Sequence, residues 1–170
     1  MIEAQDVLEI VAALRAAGID VWLDGGWGVD ALVGEPTRKH DDLDCVIALA
    51  RAQDALAALA PLGFAMHEDE LPTRFVVRDA RNRRIDFHTV TFDHEGGGVQ
   101  RLQDGSSWRY PPHGFRARGR IAGQPVPCLT ADVQALAHVG YEPDEKDMHD
   151  MNLLARRFGI DVPEPYRKRP

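Results

Sequence analysis

The chain has 170 residues, of which 44% are hydrophobic, and this is enough to bury a substantial core without disulfide bonds. Its formal net charge of -7 at pH 7 argues against a nucleic-acid polymer as a partner, because proteins that bind such polymers normally present a broad basic face. The sequence has no signal-peptide pattern and no apolar run of membrane length, so we expect a cytoplasmic protein that does not contact a membrane.

The scaffold of the first half is predicted from apolar spacing and from turn residues. Apolar residues recur at helical spacing over 3–17, and Gly18 ends that helix. Residues 51–60 form an alanine-rich helix whose apolar face is expected to cover a sheet. Short strands are expected at 64–67 and 74–78. These segments are interpreted as structural.

The segment around two consecutive glycines is the first that suggests chemistry. An apolar run at 21–23 is typical of a buried strand, and it leads directly into Gly25 and Gly26, which allow a tight turn and a close approach to the backbone. A short apolar helix is predicted over 27–33. A helix N-terminus that follows a glycine turn can bind an anion, because its unpaired N–H groups and its positive dipole end point the same way.

A basic cluster and a pair of aspartates follow that helix. Arg38 and Lys39 lie within the basic cluster 37–40 of an otherwise acidic chain. Asp42 and Asp44 then begin an apolar strand, and residues two apart in a strand face the same way. Two adjacent carboxylates repel each other unless a cation lies between them, and oxygen ligands suit magnesium or manganese.

A third candidate carboxylate lies on a later strand. In the strand predicted over 83–90, apolar residues alternate with Asp86 and His88, so one face carries a carboxylate and an imidazole. We expect no zinc site at His88 and His94, because no paired ligand spacing accompanies them.

The second half of the chain is predicted to be less regular. Glycines and prolines punctuate 93–119, which we interpret as a long loop forming a flap beside the site. A hairpin is expected over 119–129, then a helix over 130–139 capped by Thr130. A last helix is expected from about 144 to 158.

These motifs resemble a known family. The two glycines followed by Asp42 and Asp44 are similar to the signature of the DNA polymerase β-like nucleotidyltransferase superfamily. More narrowly, residues 24–31, Asp-Gly-Gly-Trp-Gly-Val-Asp-Ala, followed by the pattern Arg-x-His-x-Asp-x-Asp of 38–44, resemble the lincosamide and aminoglycoside nucleotidyltransferases that inactivate antibiotics. The superfamily usually has Ser after the glycines, and Trp27 at that position agrees with the antibiotic-modifying branch. Further similar motifs lie at 85–88 and 138–153, and the lincosamide enzymes show the denser resemblance.

The resemblance implies the fold and the domain organisation. It implies an α+β, polymerase β-like nucleotidyltransferase fold: a mixed β-sheet flanked by helices, with C-terminal helices. We expect a single nucleotidyltransferase domain over 1–170, with a catalytic core at about 1–128 and a helical segment at about 129–159. Whether the protein is a monomer or a homodimer is left open.

The resemblance also implies a mechanism and the residues that carry it. Asp42, Asp44 and Asp86 would hold Mg²⁺, with two ions expected, and Asp86 would also take the proton of an acceptor hydroxyl. The triphosphate of a nucleoside triphosphate, with ATP expected, would be bound by the phosphate-binding group Gly25, Gly26, Arg38 and Lys39. Possible substrate contacts are Trp27, His88 and Tyr141.

The expected reaction transfers a nucleoside monophosphate, AMP by preference, to a hydroxyl of a small antibiotic, with a lincosamide preferred over an aminoglycoside. Two alternatives remain. One is a protein-modifying nucleotidyltransferase of the toxin–antitoxin type, whose usual Gly-Ser turn is absent here. The other is a catalytically silent binding module on the same fold, and the three retained carboxylates count against it. The acidic residues of 142–150 are either a solvated helix face or part of the acceptor site, and Lys146 is either a surface residue or a phosphate contact.

Overall fold

A mixed sheet with helices on its faces forms the body of the protein in the computed structural model, which describes residues 1–139, 142–164 and 166. The strands are β1 (Val21–Asp24), β2 (Leu43–Ala48), β3 (Ala65–Glu70), β4 (Arg74–Arg78), β5 (Arg84–Phe92), β6 (Gly98–Arg101), β7 (Ser107–Tyr110), β8 (Ala117–Ile121) and β9 (Gln124–Cys128). The α-helices are α1 (Ala4–Ala16), α2 (Gly25–Val33), α3 (Ala52–Leu59), α4 (Ala131–Ala137) and α5 (Glu145–Phe158). The predicted α+β class with C-terminal helices is confirmed.

The strand order brings the acidic motifs together at one place in the sheet. The order is β3-β4-β5-β2-β1-β9-β8, and β6 extends from β5 to pair with β7. The pairs β2–β5 and β1–β9 are parallel, and the other pairs are antiparallel. In register, Asp44 lies opposite Asp24 on one side and Asp86 on the other. Three carboxyl groups from three adjacent strands therefore share one line across the sheet.

The sheet is buried on both faces, which explains the long apolar runs of its central strands. On one face, alternate residues of β2 and β5 pack beneath α1 and α3, and Phe75 stacks on Phe87 with 4.8 Å between ring centroids. On the other face, a second cluster contains Val46, Val90 and Phe115. Each fully buried aromatic side chain contributes roughly 2–3 kcal/mol. Asp44 and Asp86 lie on this second face, at its open edge.

The region predicted as one long loop contains a hairpin, which corrects the interpretation of 93–119 as irregular. Strands β6 and β7 pair from Gly98 opposite Tyr110 to Arg101 opposite Ser107. The prediction was wrong because glycine was taken as a loop signal, whereas Gly98 begins β6. A Cβ at Gly98 would lie 2.9 Å from Phe115 Cζ, so the absence of a side chain allows close packing there.

The remaining elements agree with prediction, apart from one helix start and one helix cap. Helix α2 begins at Gly25, so the two glycines form its first turn and not a separate turn before residue 27. Helix α5 is capped by Asp144, whose side chain accepts hydrogen bonds from the backbone N–H groups of Lys146 and Asp147 at 2.7 and 2.9 Å. Thr130 precedes α4 as predicted, but its side chain makes no capping hydrogen bond, and α4 ends at Ala137. The division of the chain near residue 128 stays a prediction.

Within the described ranges, every helix is too short or too polar to cross a bilayer.

Candidate active site

A cleft of about 530 Å³ opens at the edge where β1, β2 and β5 carry their aspartates. Its lining includes Gly25, Gly26 and Arg38, together with residues of β6, β7 and the C-terminal end of α4. The first residues of α5 contribute to its wall. The predicted anion site and the predicted flap therefore line the same cleft as the carboxylates of Asp42 and Asp44.

Asp44 is a buried carboxylate with other negative charges around it. Burial raises the pKa of Asp44 well above its usual range, and the negative charges of Asp42, Asp24 and Asp86 raise it further. One ligand atom each from Asp44, Asp86 and His88 lies within 4.8 Å of the others. A divalent cation would relieve this repulsion. Asp42 also lines the cleft and acts on Asp44 through its charge.

Asp86 lies just beneath the cleft surface, under Arg74. Its Oδ2 accepts a hydrogen bond from Arg74 Nη1 at 2.8 Å, and Arg74 also pairs with Glu68 and Glu70. Asp86 Oδ1 is buried, and no hydrogen-bond partner for it exists among the residues described. A buried carboxylate oxygen without a partner costs free energy that a bound metal ion would recover. The carboxylates of this site therefore fit Mg²⁺, a hard cation that prefers oxygen ligands.

The two glycines permit close approaches that any side chain would prevent. Gly25 has a φ of 56°, and a Cβ there would overlap Asp44 Oδ2. A Cβ at Gly26 would overlap Arg38 Nη2 and the ring of His40. The two glycines thus lie directly against the Asp44 carboxylate and the Arg38 guanidinium.

Arg38 is held in the cleft by a buried aspartate of α5. Its Nε donates to Asp150 Oδ1 at 3.0 Å and its Nη2 donates to Asp150 Oδ2 at 2.6 Å, while Asp150 is 1% exposed. Burial alone would lower the pKa of Arg38, but the hydrogen bond and charge of Asp150 outweigh it and raise that pKa. Lys39, by contrast, is exposed and does not line the cleft. Lys146 pairs with Asp41 at 2.8 Å at the rim.

Trp27 lies in the core beside the site. It is 4% exposed, and its ring packs against that of His40, 4.6 Å away. His40 Nε2 lies 2.6 Å from Asp30 Oδ2, and Asp30 Oδ1 accepts a hydrogen bond from the Thr37 hydroxyl at 2.6 Å. This buried network holds the basic cluster 37–40 in place through Thr37 and His40. Trp27 does not line the cleft, and Tyr141, another predicted substrate contact, lies outside the described residues.

The far wall of the cleft is largely apolar, and sequence reasoning did not single it out. Its apolar side chains are Leu102, Trp108, Leu136 and Val139. Buried polar residues, Gln100 and Tyr110, form the floor beside His88. The aromatics within 93–119 were the only signal in the sequence that this segment packs somewhere. Arg74 and Asp24 were also missed, because their roles depend on strand register.

The fold and this site define the class of the protein: a polymerase β-like nucleotidyltransferase. A solved structure of the lincosamide antibiotic adenylyltransferase LnuA, lincomycin-bound, is similar with a TM-score of 0.78 and 25% identity, covering 88% of this chain and 94% of that one. ANT(2")-Ia in complex with adenylyl-2"-tobramycin shares the fold at a TM-score of 0.72 and 22% identity, covering 90% of this chain and 87% of that one.

The chain belongs to the aminoglycoside-2''-adenylyltransferase family, whose family model matches residues 6–154. It is 27% identical over 136 residues to a lincosamide resistance protein of Staphylococcus haemolyticus, covering 80% of this chain and 84% of the relative. It is 32% identical over 120 residues to a 2''-aminoglycoside nucleotidyltransferase of Klebsiella pneumoniae, covering 71% of this chain and 63% of the relative. The predicted family resemblance is confirmed.

Proposed function

We propose that the protein transfers a nucleoside monophosphate, AMP by preference, from a nucleoside triphosphate to a hydroxyl of a small antibiotic, and thereby inactivates it. The observation that carries this proposal is the adjacency of Asp44 and Asp86 in register on parallel strands, with the Gly25 turn pressed against Asp44. Family membership and the activities named for its relatives support the same reaction.

The carboxylates are assigned to the metal. Asp42, Asp44 and Asp86 would hold Mg²⁺, and two ions suit the number of acidic groups present. Bound metal would neutralise the charge that develops on the phosphates during the transfer. The raised pKa of Asp44 and the unpartnered Oδ1 of Asp86 support this assignment, because both features are relieved by a cation.

The part of the cleft lined by Gly25, Gly26 and Arg38 is assigned to the triphosphate. These residues line the cleft beside the carboxylates, and the Gly25 N–H donates to Asp24 Oδ1 at 2.8 Å. An N-terminal helix end and a fixed guanidinium suit phosphate oxygens, since both offer several N–H donors in a fixed geometry. Asp150 holds the guanidinium before the nucleotide arrives, which reduces the entropy lost on binding.

Asp86 is assigned as the group that accepts the proton of the acceptor hydroxyl. Its Oδ2 accepts one hydrogen bond, from Arg74, and each carboxylate oxygen has two lone pairs, so the group can hold a cation and still accept that proton. The hydroxyl oxygen then attacks the α-phosphorus in line, and pyrophosphate leaves. A carboxylate can act as this base because the neighbouring cation lowers the pKa of the hydroxyl.

A lincosamide is the preferred acceptor and an aminoglycoside the next. The far wall of the cleft is formed by apolar side chains, whereas its rim carries Asp41, Asp144 and Asp147. An acceptor with an amine and an apolar body can satisfy both surfaces, and lincosamides combine these groups. Aminoglycosides carry several amines and little apolar surface, so they would leave the apolar wall unused.

The test is pyrophosphate release from ATP and Mg²⁺ in the presence of lincomycin, clindamycin, tobramycin or kanamycin. We expect release with the lincosamides and its loss in Asp86→Ala. Release with the aminoglycosides alone would move the acceptor to that class. If no antibiotic causes release while ATP and Mg²⁺ still bind, the proposed acceptor is wrong.

A further inference from the structure

His88 belongs to a buried hydrogen-bond chain that begins at Tyr110. The Tyr110 hydroxyl donates to Gln100 Oε1 at 3.1 Å, and Gln100 Nε2 donates to the backbone carbonyl of Thr73 at 3.0 Å. The same Nε2 lies 3.3 Å from His88 Nδ1. Tyr110 and Gln100 are only 3% and 5% exposed, so water does not compete for these bonds.

The donors and acceptors in this hydrogen-bond chain are fixed, because the roles of two groups in it, the Thr73 carbonyl and the Tyr110 hydroxyl, are fixed. A backbone carbonyl accepts and never donates, so the amide nitrogen of Gln100 must face Thr73 and its oxygen must face Tyr110. Burial raises the pKa of Tyr110 well above its usual range, and the charges of Asp24 and Asp44 raise it further, so the phenol keeps its proton and donates it. The second hydrogen of Gln100 Nε2 is then directed at His88.

A nitrogen that faces an N–H donor must present its lone pair. In a neutral imidazole one nitrogen accepts and the other donates, so acceptance at Nδ1 places the proton of His88 on Nε2. A metal-ligating histidine almost always shows the reverse arrangement, donating its second N–H to a carbonyl, a carboxylate or water. Here both nitrogens are occupied, Nδ1 by the Gln100 amide and Nε2 by its own proton.

We infer that His88, although it lies beside Asp44 and Asp86, is not a metal ligand but a hydrogen-bond donor, through Nε2, to an oxygen of the acceptor molecule. His88 lines the cleft, and Nε2 has no hydrogen-bond partner in the described part of the chain. It lies two residues beyond Asp86 on β5 and 3.3 Å from Gln100 Nε2, level in the sheet with Trp22 of β1, which precedes the glycines. Gln100 and Tyr110 are positioning residues that select this tautomer. The choice of the acceptor as ligand rests on the proposed function, whereas the tautomer and the absence of metal ligation do not.

The tautomer can be measured directly from the nitrogen chemical shifts of the imidazole ring in ¹⁵N-labelled, metal-free protein at about pH 8, where imidazole is neutral. Seven histidines are present, and His88→Gln identifies the signals of His88. We expect a protonated Nε2 in the wild type and an averaged mixture of tautomers in Gln100→Met, which removes the donor at similar size. A proton on Nδ1 in the wild type would overturn the inference.

Metal ligation is tested with Mn²⁺ alone, titrated by electron paramagnetic resonance. His88→Gln should bind Mn²⁺ within about twofold of the wild type, whereas Asp86→Asn should bind about tenfold more weakly or worse. A tenfold loss in His88→Gln would make His88 a ligand and refute its role as a donor. Neither measurement needs turnover, so both remain valid if no antibiotic is a substrate.

Kinetics test the donor role once an acceptor is known. His88→Asn places an amide near the Nδ1 position, and His88→Gln places one near Nε2, so only the glutamine can replace the donor. We expect the KM for the acceptor to rise about tenfold in His88→Asn, with recovery of most of that loss in His88→Gln and a KM for ATP within about twofold. A change in the KM for ATP alone would assign the donor to the phosphates and contradict the inference.

Discussion

Arg38 and Asp150 lie 112 residues apart in the sequence and meet through three nitrogen–oxygen hydrogen bonds of 3.0, 3.2 and 2.6 Å. The guanidinium that we assign to the triphosphate is therefore positioned by helix α5, although the other groups assigned to phosphate and metal lie before residue 87. The C-terminal helix therefore helps to shape the part of the cleft that we assign to the nucleotide.

Asp150→Asn should weaken nucleotide binding more than it weakens acceptor binding. The amide keeps the size of the side chain but loses the charge and one acceptor, so Arg38 is less well held. We expect the KM for ATP to rise about tenfold and the free energy of unfolding to fall by about 1.5–3 kcal/mol. The matched control is Glu145→Gln, which removes an exposed charge from the same helix. An unchanged KM for ATP in Asp150→Asn would show that Arg38 does not need this partner.

Asp44→Asn should lower turnover and raise the thermal stability of the metal-free protein. The substitution removes a carboxylate whose ionisation is opposed by burial and by three neighbouring negative charges. In a chelator we expect the variant to melt higher than the wild type, and about 1 kcal/mol of relief corresponds to roughly 2–4 °C in Tm for a chain of this size. Turnover with Mg²⁺ should fall by about a hundredfold or more.

The control for Asp44→Asn is Asp20→Asn, an exposed aspartate outside the cleft. Added Mg²⁺ should raise the Tm of the wild type and of Asp20→Asn, and it should have much less effect on Asp44→Asn. Equal stabilisation of all three proteins by Mg²⁺ would refute the assignment of Asp44 to the metal.

Gly25→Ala and Gly34→Ala form a matched pair for the close approach at the turn. Both glycines have a positive φ, 56° and 85°, but a Cβ at Gly34 would meet no atom within 4 Å, whereas one at Gly25 would overlap Asp44. Each alanine should cost about 1–2 kcal/mol of stability from the left-handed backbone. Only Gly25→Ala should also displace Asp44, and we expect its turnover to fall at least about tenfold while Gly34→Ala stays near the wild type. Steady-state kinetics beside thermal melts would separate the two effects.

A buried ion-pair cluster on the other side of the sheet should govern the response to acid. Arg83 is 5% exposed and pairs with Asp79 and Asp6 at 2.7 and 2.8 Å. Burial acts to raise the pKa of both aspartates, but hydrogen bonds, including those from Arg83, and its charge lower both values. A lowered folded-state pKa adds stability above the unfolded value of about 3.9, and that stability is lost as the pH falls through the folded-state value.

Arg83→Met should therefore lower the free energy of unfolding at pH 7 by about 3–5 kcal/mol, because it leaves buried carboxylates unpaired. Its stability should also depend less steeply on pH below about 4 than that of the wild type. Arg81→Met is the control, since Arg81 contacts Asp6 from a side chain that is 67% exposed. Denaturant unfolding across the acid range makes the comparison, and parallel curves for wild type and Arg83→Met would contradict it.

Local features of the sequence predicted the parts of the site that depend on local geometry. The alternation of polar and apolar residues around Asp44 and Asp86 predicted which side chains share a face, and the two glycines predicted a close approach to the backbone, which Asp44 and Arg38 make. Helical spacing predicted α1 and α3 to within a residue or two. In each case a short-range pattern determines the structure.

Other parts of the site depend on contacts between residues that are distant in the sequence, which no local pattern encodes. Arg74 lies over the site because β4 and β5 pair with Arg74 opposite His88, and a shift of one residue would turn it away. Asp150 was one of several acids on a helix that looked solvated, and only the docking of α5 buries it. Trp27 follows the glycines in the motif, which suggested a substrate contact, yet α2 is buried on most sides and Trp27 packs inward.

The cleft forms only when strands that are distant along the chain pair with each other. Strand β2 pairs in parallel with β5, and β1 pairs in parallel with β9. Leu23 pairs with Cys128, and Asp44 meets Asp86 only when β5 has docked beside β2. Contacts of this kind form slowly, because the intervening loops must close before any contact is gained. Recovery of enzymatic activity after dilution from denaturant would thus report on completed folding of the whole sheet, and it should lag behind the recovery of helical circular dichroism.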